Sequence, residues 1–351
     1  MNPLRSPHAL LRISCLIALL LSISQGFDPS SGTRRVVAVA GSTGQLGRLV
    51  VDELLASNYT VRALARDVNK AKQLLPSSEF IQVSSCDLSD AIQVKRAMRG
   101  SDSCIWCASG LVQQASWWDR TLSVLKLKLA PTQTLEIAGV SNMVNALKSL
   151  DLDDDGCPKL VLCSSAGVTR PAWPAEKKKR LEGAADIPIV RLNPFNVLGL
   201  KKQGEDVLRK SNIPYSIVRP CGLSSDWPRG RQVLCQGDVA VGRTNRQSLA
   251  KLLVRLLAEP LATRKTFETF TLANYPEPRG YSDQLRRMLD DGDSIDEECV
   301  QTEYNLLQQL LPGELLTPQN LAMGQTYEQL DKSEPGRLGE RGKERAPIAS
   351  Q

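Results

Sequence analysis

Residues 36–50 read VVAVAGSTGQLGRLV. Glycines at 41, 44 and 47 follow an apolar run directly and open a segment of helical spacing. A glycine turn between strand and helix brings bare backbone against a diphosphate, and the free N–H groups and dipole of the helix hold the negative charge. Gly41 permits the tight turn, Gly44 the close approach, and Gly47 the packing of helix on strand. Gly41, Thr43, Gly44, Gln45, Leu46 and Gly47 are therefore the expected cradle for a dinucleotide. The end of the second strand chooses between dinucleotides. It reads ALARD, with Arg66 ahead of Asp67. A guanidinium pairs with a 2′-phosphate and stacks on adenine, whereas a carboxylate suits an unphosphorylated ribose. Arg66, helped by Arg48, favours NADP; Asp67 keeps NAD open as the alternative.

Composition narrows the remaining chemistry. The 351 residues carry one histidine, His8, inside an N-terminal segment that reads as a signal peptide. Arg5 and Arg12 precede the apolar run Ile13 to Ile23, and Ser24-Gln25-Gly26 offers small residues for cleavage before Phe27. That run is too short to span a bilayer, so no transmembrane span is expected after its removal. The mature protein would have no imidazole, which excludes Ser–His–Asp and Cys–His nucleophiles and any metal site that needs histidine. No metal site is expected. Formal charge would fall from +6 to +4, because two arginines and no acid leave.

Cys104 and Cys107 have redox-motif spacing but lie on a strand, where residues three apart face opposite ways. They read as small buried hydrophobes. Nine scattered cysteines without a framework suit a reducing compartment. The basic run Lys177 to Arg180 has no interleaved aromatics and reads as a solvated helix face, so nucleic acid is not an expected partner.

The elements that must position these residues alternate from Arg35 onward. Strand-like runs RVVAVAG, TVRALAR, EFIQVSS, DSCIWCAS, KLVLCSS and PYSIVRP are separated by helical patterns. Two of these patterns are EIAGVSNMVNALKSL and VLGLKKQGEDVLRKS. This order predicts an α/β fold, a doubly wound parallel sheet of the Rossmann type. After Pro220 come an amphipathic helix, RQSLAKLLVRLLAEP, and a late strand, KTFETFTLA. The expected organisation is a signal peptide over 1–26, a transit-like segment over 27–34, an NAD(P)-binding Rossmann domain over 35–278, and a C-terminal extension over 279–351. The domain includes a small C-terminal substrate region. The extension is expected to be largely disordered, with a flexible tail from Leu315 to Gln351.

With these pieces in order, the chain resembles the atypical short-chain dehydrogenases/reductases on the NmrA-like side, including plant and algal plastid NAD(P)-binding proteins. The resemblance covers Arg35 to Ala273. It rests on VAVAGSTGQLG, VRALARD, CDLSD, KLVLCSSAGV, LNPFNVLGLKKQGEDVLRKSNIPYSIVRPCGL and LAKLLVRLLAEP. It implies that Asp87 and Leu88 contact adenine, and that Ala108, Ser109 and Gly110 lie beside the ribose. Pro220, Cys221 and Gly222 would line the nicotinamide side. It also implies that Ser164 and Ser165 mark the catalytic-serine region, Ser165 being the better aligned, and that Lys201 is the lysine of a Tyr-x-x-x-Lys motif. Lys201 would both grip the ribose and serve catalysis. The residue where that motif has its tyrosine is Val197, which cannot carry a proton. Tyr215 on the next strand reads as packing rather than a replacement acid.

A signal peptide followed by Phe27 resembles the two-part presequences of algae with secondary plastids. That implies the plastid stroma; the ER lumen or secretion is the alternative. Two functions remain. One is NADP-dependent reduction of a small plastid metabolite. The other is a non-catalytic NADP-binding role in regulation or assembly, with a plastid protein as partner. Trp117 and Trp118 are candidate walls of a substrate pocket.

Overall fold

The structure, a computed structural model, describes residues 34–110 and 135–310. The segments read above as a signal peptide and as transit-like (up to residue 33), together with Trp117, Trp118 and the tail from Leu315, lie outside the described residues.

Strand β1 (Val36–Ala40) enters α1 (Gln45–Ala56) through the glycine turn. β2 (Thr60–Ala65), α2 (Val68–Leu74), β3 (Ile81–Ser85), α3 (Ala91–Met98) and β4 (Ser103–Trp106) follow. After a π-helical turn, Leu135–Gly139, come α4 (Val140–Lys148) and β5 (Leu160–Cys163). Three short helices, α5 (Ala175–Arg180), α6 (Glu182–Ala185) and α7 (Pro188–Leu192), then lead to α8 (Val197–Arg209) and β6 (Tyr215–Pro220). The remaining elements are β7 (Gly222–Ser224), β8 (Gly230–Cys235), β9 (Arg243–Asn245), α9 (Arg246–Leu256), β10 (Lys265–Ala273), α10 (Ser282–Leu285) and α11 (Glu297–Gln309).

The main sheet has the order β3-β2-β1-β4-β5-β6-β10-β8. Its neighbours pair in parallel from β3 to β10, and β8 closes one edge antiparallel to β10. The architecture is the expected doubly wound sheet, and helices cover both faces. Val37 and Val39 pack with α1 and α9 on one face, Ala38 and Ala40 with α3 and α4 on the other. This double burial is why β1 reads as an unbroken apolar run instead of an alternation. The chain reverses its winding between β1 and β4, which opens a crevice at the carboxyl ends of those strands.

Three local outcomes differ from the sequence reading. EIAGVSNMVNALKSL is not one uniform helix: it begins with the π-helical turn, where Gly139 rests on Trp106 so closely that a Cβ would lie 2.7 Å from the ring. Strand β8 escapes the pattern because Gln232 is buried among apolar residues. Its amide donates to Thr271 Oγ1 at 2.6 Å and accepts from Thr269 Oγ1 at 2.8 Å. The basic run on α5 is only partly solvated, since Lys177 and Arg180 both clamp Glu297 of α11.

Residues 279–310, placed in the C-terminal extension, are bound to the domain. Val300 and Leu307 of α11 enter a buried cluster with Trp173 and Phe270. Asp291 accepts from Tyr215, Thr266 and Arg209.

Candidate functional site

The glycine turn is held rigidly and left open on its outer side. Gly41 has φ +80°, and a Cβ there would lie 2.7 Å from the Ala108 nitrogen. A Cβ on Gly47 would lie 2.1 Å from the Gly41 carbonyl oxygen, so no side chain fits at either position. Ser42 is fully buried and donates to the Leu64 carbonyl at 3.0 Å, tying the turn to β2. Gly44 is exposed and begins α1 without a side-chain cap or an acid in the first turn. Gln45 is exposed as well, while Leu46 and Gly47 are buried, so what this turn offers a ligand is backbone N–H. A cradle that a Cβ would fill, at an uncapped helix start, fits a diphosphate.

The next two strands end beside it. Arg66 is exposed after β2, and its charge helps hold Asp87, after β3, below the usual carboxylate range. The larger cause there is Ser89, whose hydroxyl and N–H both donate to Asp87 Oδ1. Asp67 is the N-cap of α2 and accepts from the Lys70 N–H at 2.9 Å. Leu88 is mostly core: its side chain is buried with Val94 and Met98, and its carbonyl accepts from Asn142 at 3.2 Å. Arg48 points into a cleft lined by Gln45, Asp52, Leu74 and Ser225, and its Nε is buried without a hydrogen-bond partner.

Past the winding reversal, Ala108 is buried against the glycine turn, and its carbonyl accepts from the Trp106 indole at 3.0 Å. Ser109 is exposed next to it. Ser164 and Ser165 follow β5; the Ala166 N–H bonds the Pro220 carbonyl at 3.0 Å, which joins the serine loop to the end of β6. The Ser165 hydroxyl donates to the Ala166 carbonyl at 3.0 Å. Lys201 lies on the first turns of α8. Burial pushes the Cys163 thiol at the end of β5 up to about 11, and the Lys201 charge opposes that rise. The expected site residues thus gather along the carboxyl ends of β1 to β6.

A family model described as NAD(P)H-binding matches residues 41–260. The chain belongs to this NAD(P)H-binding family. It is 29% identical over 273 residues to an uncharacterised chloroplastic protein of Arabidopsis thaliana, covering 75% of this chain and 86% of that one. It is 28% identical over 220 residues to Protein TIC 62, chloroplastic, of Pisum sativum, covering 58% of this chain and only 36% of that longer protein. In fold it is similar to a short-chain dehydrogenase/reductase of Veillonella parvula solved in complex with NADP. That likeness has a TM-score of 0.50 at 16% identity and covers 70% of this chain and all of that one.

Two positions depart from what an active reductase site needs. Val197 is 4% exposed and packs with Val168 and Leu198, so the place of the tyrosine is apolar and closed. The chain enters α8 through three left-handed residues, Asn193, Phe195 and Asn196, and the Asn193 side chain caps the Leu198 N–H at 3.1 Å. Tyr215 stands at the opposite, amino end of β6, donating to Asp291 at 2.9 Å. Burial first, then the Asp291 charge, push its hydroxyl well above the usual phenol range. It does not substitute for the missing acid.

Glu205 is not the partner of Lys201. It is fully buried and accepts from Arg219 Nε at 3.0 Å, Arg219 Nη2 at 2.6 Å and Arg209 Nη2 at 2.9 Å. Burial opposes its ionisation, but the Arg219 charge and hydrogen bonds outweigh that and hold it below the usual carboxylate range. Beyond Arg219 lie Glu268, Asp238 and Arg170, all buried. Sequence reading passed over this network because its members are separated by tens of residues. The one local signal was the glutamate four residues after Lys201 in a segment that ends in Arg219-Pro220.

Proposed function

We propose that this protein binds NADP in a plastid and serves there as a reductase of a small metabolite whose proton comes from the substrate or from water. The observation that carries the cofactor choice is the pairing at the end of β2. Asp67 is already used as the cap of α2, while Arg66 stands exposed beside the crevice. Asp67 Oδ1 is engaged with the start of α2, while the exposed Arg66 guanidinium suits a 2′-phosphate. The NADP bound in the Veillonella parvula structure supports the same choice, and the chloroplastic relatives support the compartment.

The turn from Gly41 to Gly47 would hold the diphosphate, Arg66 the 2′-phosphate, and Lys201 the ribose near the ends of β5 and β6. Bound NADPH supplies a hydride. The Ser165 hydroxyl can turn to donate a hydrogen bond to a carbonyl, and Val197 contributes shape and no proton.

The burial of Val197 favours a second reading, a non-catalytic NADP-binding protein that regulates or assembles a plastid partner. Titration with NADPH and NADH, followed by a screen of carbonyl and quinone acceptors for loss of NADPH absorbance, separates the two. Turnover that disappears in Ser165→Ala and Lys201→Ala supports the reductase; tight NADPH binding without turnover supports the second reading. An Arg66→Ala variant that keeps its preference for NADPH over NADH overturns the cofactor choice.

A further inference from the structure

Glu136 lies in the π-helical turn, is 6% exposed, and is used by none of the chemistry above. Its Oε1 accepts from the Gly110 N–H at 3.0 Å and from the Ser109 hydroxyl at 3.3 Å. These donors belong to the loop that follows β4, whose preceding residue, Ala108, lies against the glycine turn. The backbone of Glu136 meets a second part of the site. Its carbonyl oxygen is so close to Gly204 of α8 that a Cβ there would lie 2.3 Å away. Gly204 stands three residues after Lys201 on the same helix. One residue therefore grips the loop beside the ribose with its side chain and seats the helix of Lys201 with its backbone. The π-helical turn places both at once, and such turns recur at functional sites.

We infer that Glu136 is a positioning residue for the nicotinamide half of the cofactor site. It fixes the loop Ala108–Gly110 against α8, so that Ser109 and Lys201 address the same ribose. This rests on the NADP reading above. A buried carboxylate that accepts two hydrogen bonds orients its donors more firmly than a neutral group does, and its loss frees the loop without touching the glycine turn.

The test compares two ligands on the full chain by fluorescence titration and calorimetry. NADPH spans the whole site, while 2′,5′-ADP engages only the adenosine half. Glu136→Ala is expected to weaken NADPH by about tenfold and leave 2′,5′-ADP unchanged, and Glu136→Gln, which keeps an acceptor at the same reach, to restore NADPH to within about threefold. Glu136→Asp keeps the charge but shortens the arm, and should behave like the alanine variant; it serves if the alanine variant does not fold. Unchanged NADPH affinity in both the alanine and aspartate variants overturns the inference. So does an equal loss for both ligands, which would mark Glu136 as a general prop of the fold. If wild-type protein binds neither ligand, the NADP reading itself fails and the inference with it; if it binds both, the variants decide the inference alone.

Discussion

At the glycine turn on the β1 side of the crevice the groups offered to a ligand are backbone amides, and up to residue 110 the buried polar side chains among the described residues are serines: Ser42, Ser101 and Ser103. On the β6 side the buried polar groups include charges, among them Arg170, Glu205, Arg219, Asp238 and Glu268, beside uncharged groups such as Gln232 and Thr269. The first side makes an anion site from the absence of side chains, so its chemistry is fixed by three glycines and a helix start. The second side uses ions as internal fasteners. Arg170 donates to the Asp238, Ala184 and Ala240 carbonyls, while Asp238 accepts from the Gly167 and Thr169 N–H groups and the Thr169 hydroxyl, each at 2.7 Å. These bonds set the loop that follows Ser165. One half is built to receive charge from a ligand, and the other keeps its own charges in place and presents an apolar residue, Val197, where a proton donor would stand.

The contrast breaks most visibly at Arg219. Replacing it by Met leaves Glu205 buried with only Arg209 beside it, and should cost about 3–5 kcal/mol. Pairing that change with Glu205→Leu should recover much of the loss, because the cost comes from an unmatched charge rather than from a missing contact. Urea unfolding of the single and double variants measures both; a single variant as stable as wild type would mean that the network holds nothing together. On the other side, Gly47→Ala drives a Cβ into the Gly41 carbonyl. It should cost roughly 2–3 kcal/mol through overpacking and abolish measurable NADPH binding. A shift in stability without loss of binding would show that the turn is a packing feature.

The same contrast explains what could be read from the amino acids alone. The parallel sheet was legible because the strands from β1 to β6 are short, most of them apolar, and alternate with helical segments, and the glycine turn was legible because its function lies in backbone geometry at fixed spacing. The partner of Glu205 was not legible, because spacing on a helix says which residues share a face, not which neighbour from another strand arrives there first. Arg219 arrives from β6. Asp238 and Glu268 carried no signal, since a buried ion cluster is assembled from loops and strands far apart in the chain. The π-helical turn was hidden for a related reason: the apolar period of its segment is helical, and the widening depends on how Gly139 meets Trp106.

Glu268 gives the contrast a pH dependence. Burial first, and then the Asp238 charge, push its carboxyl well above the usual range, against the opposing pull of Arg219 and Arg170. The Val239 N–H bonds Glu268 Oε2 at 3.2 Å, and the Cys235 and Cys221 thiols lie close by. Because the folded protein holds this proton more tightly than the unfolded chain does, the contribution is fully present below the ordinary carboxylate pKa. It is lost as pH rises through the raised folded value. Glu268→Gln should remove that part of the decline, gaining on wild type progressively as pH rises from the ordinary carboxylate pKa through the raised folded value and gaining nothing below both. Thermal melts across pH test this; parallel curves for the two proteins would mean that the Glu268 pKa is the same in the folded and unfolded states. On the β1 side, among the described residues, only a partly buried carboxylate, Asp52, is shifted the same way by burial, against the pull of Arg48.

The smallest effect sharpens the contrast most, because it separates a structural charge from a ligand-binding one at adjacent positions. Asp67→Ala removes the cap of α2 and should cost about 1 kcal/mol. Asp67→Asn keeps the capping oxygen and should cost a few tenths at most. If the Asp67 carboxylate is only a cap, both variants keep the wild-type ratio of NADPH to NADH affinity, whereas Arg66→Ala lowers it. If instead the carboxylate receives a ribose hydroxyl, both variants weaken NADH, with Asn and Ala alike in binding although they differ in stability. The Lys70 N–H donates to Asp67 Oδ1 at 2.9 Å. The cap occupies Oδ1 alone, so the NADPH-to-NADH ratio across the two Asp67 variants reads out whether Oδ2 serves a ribose as well.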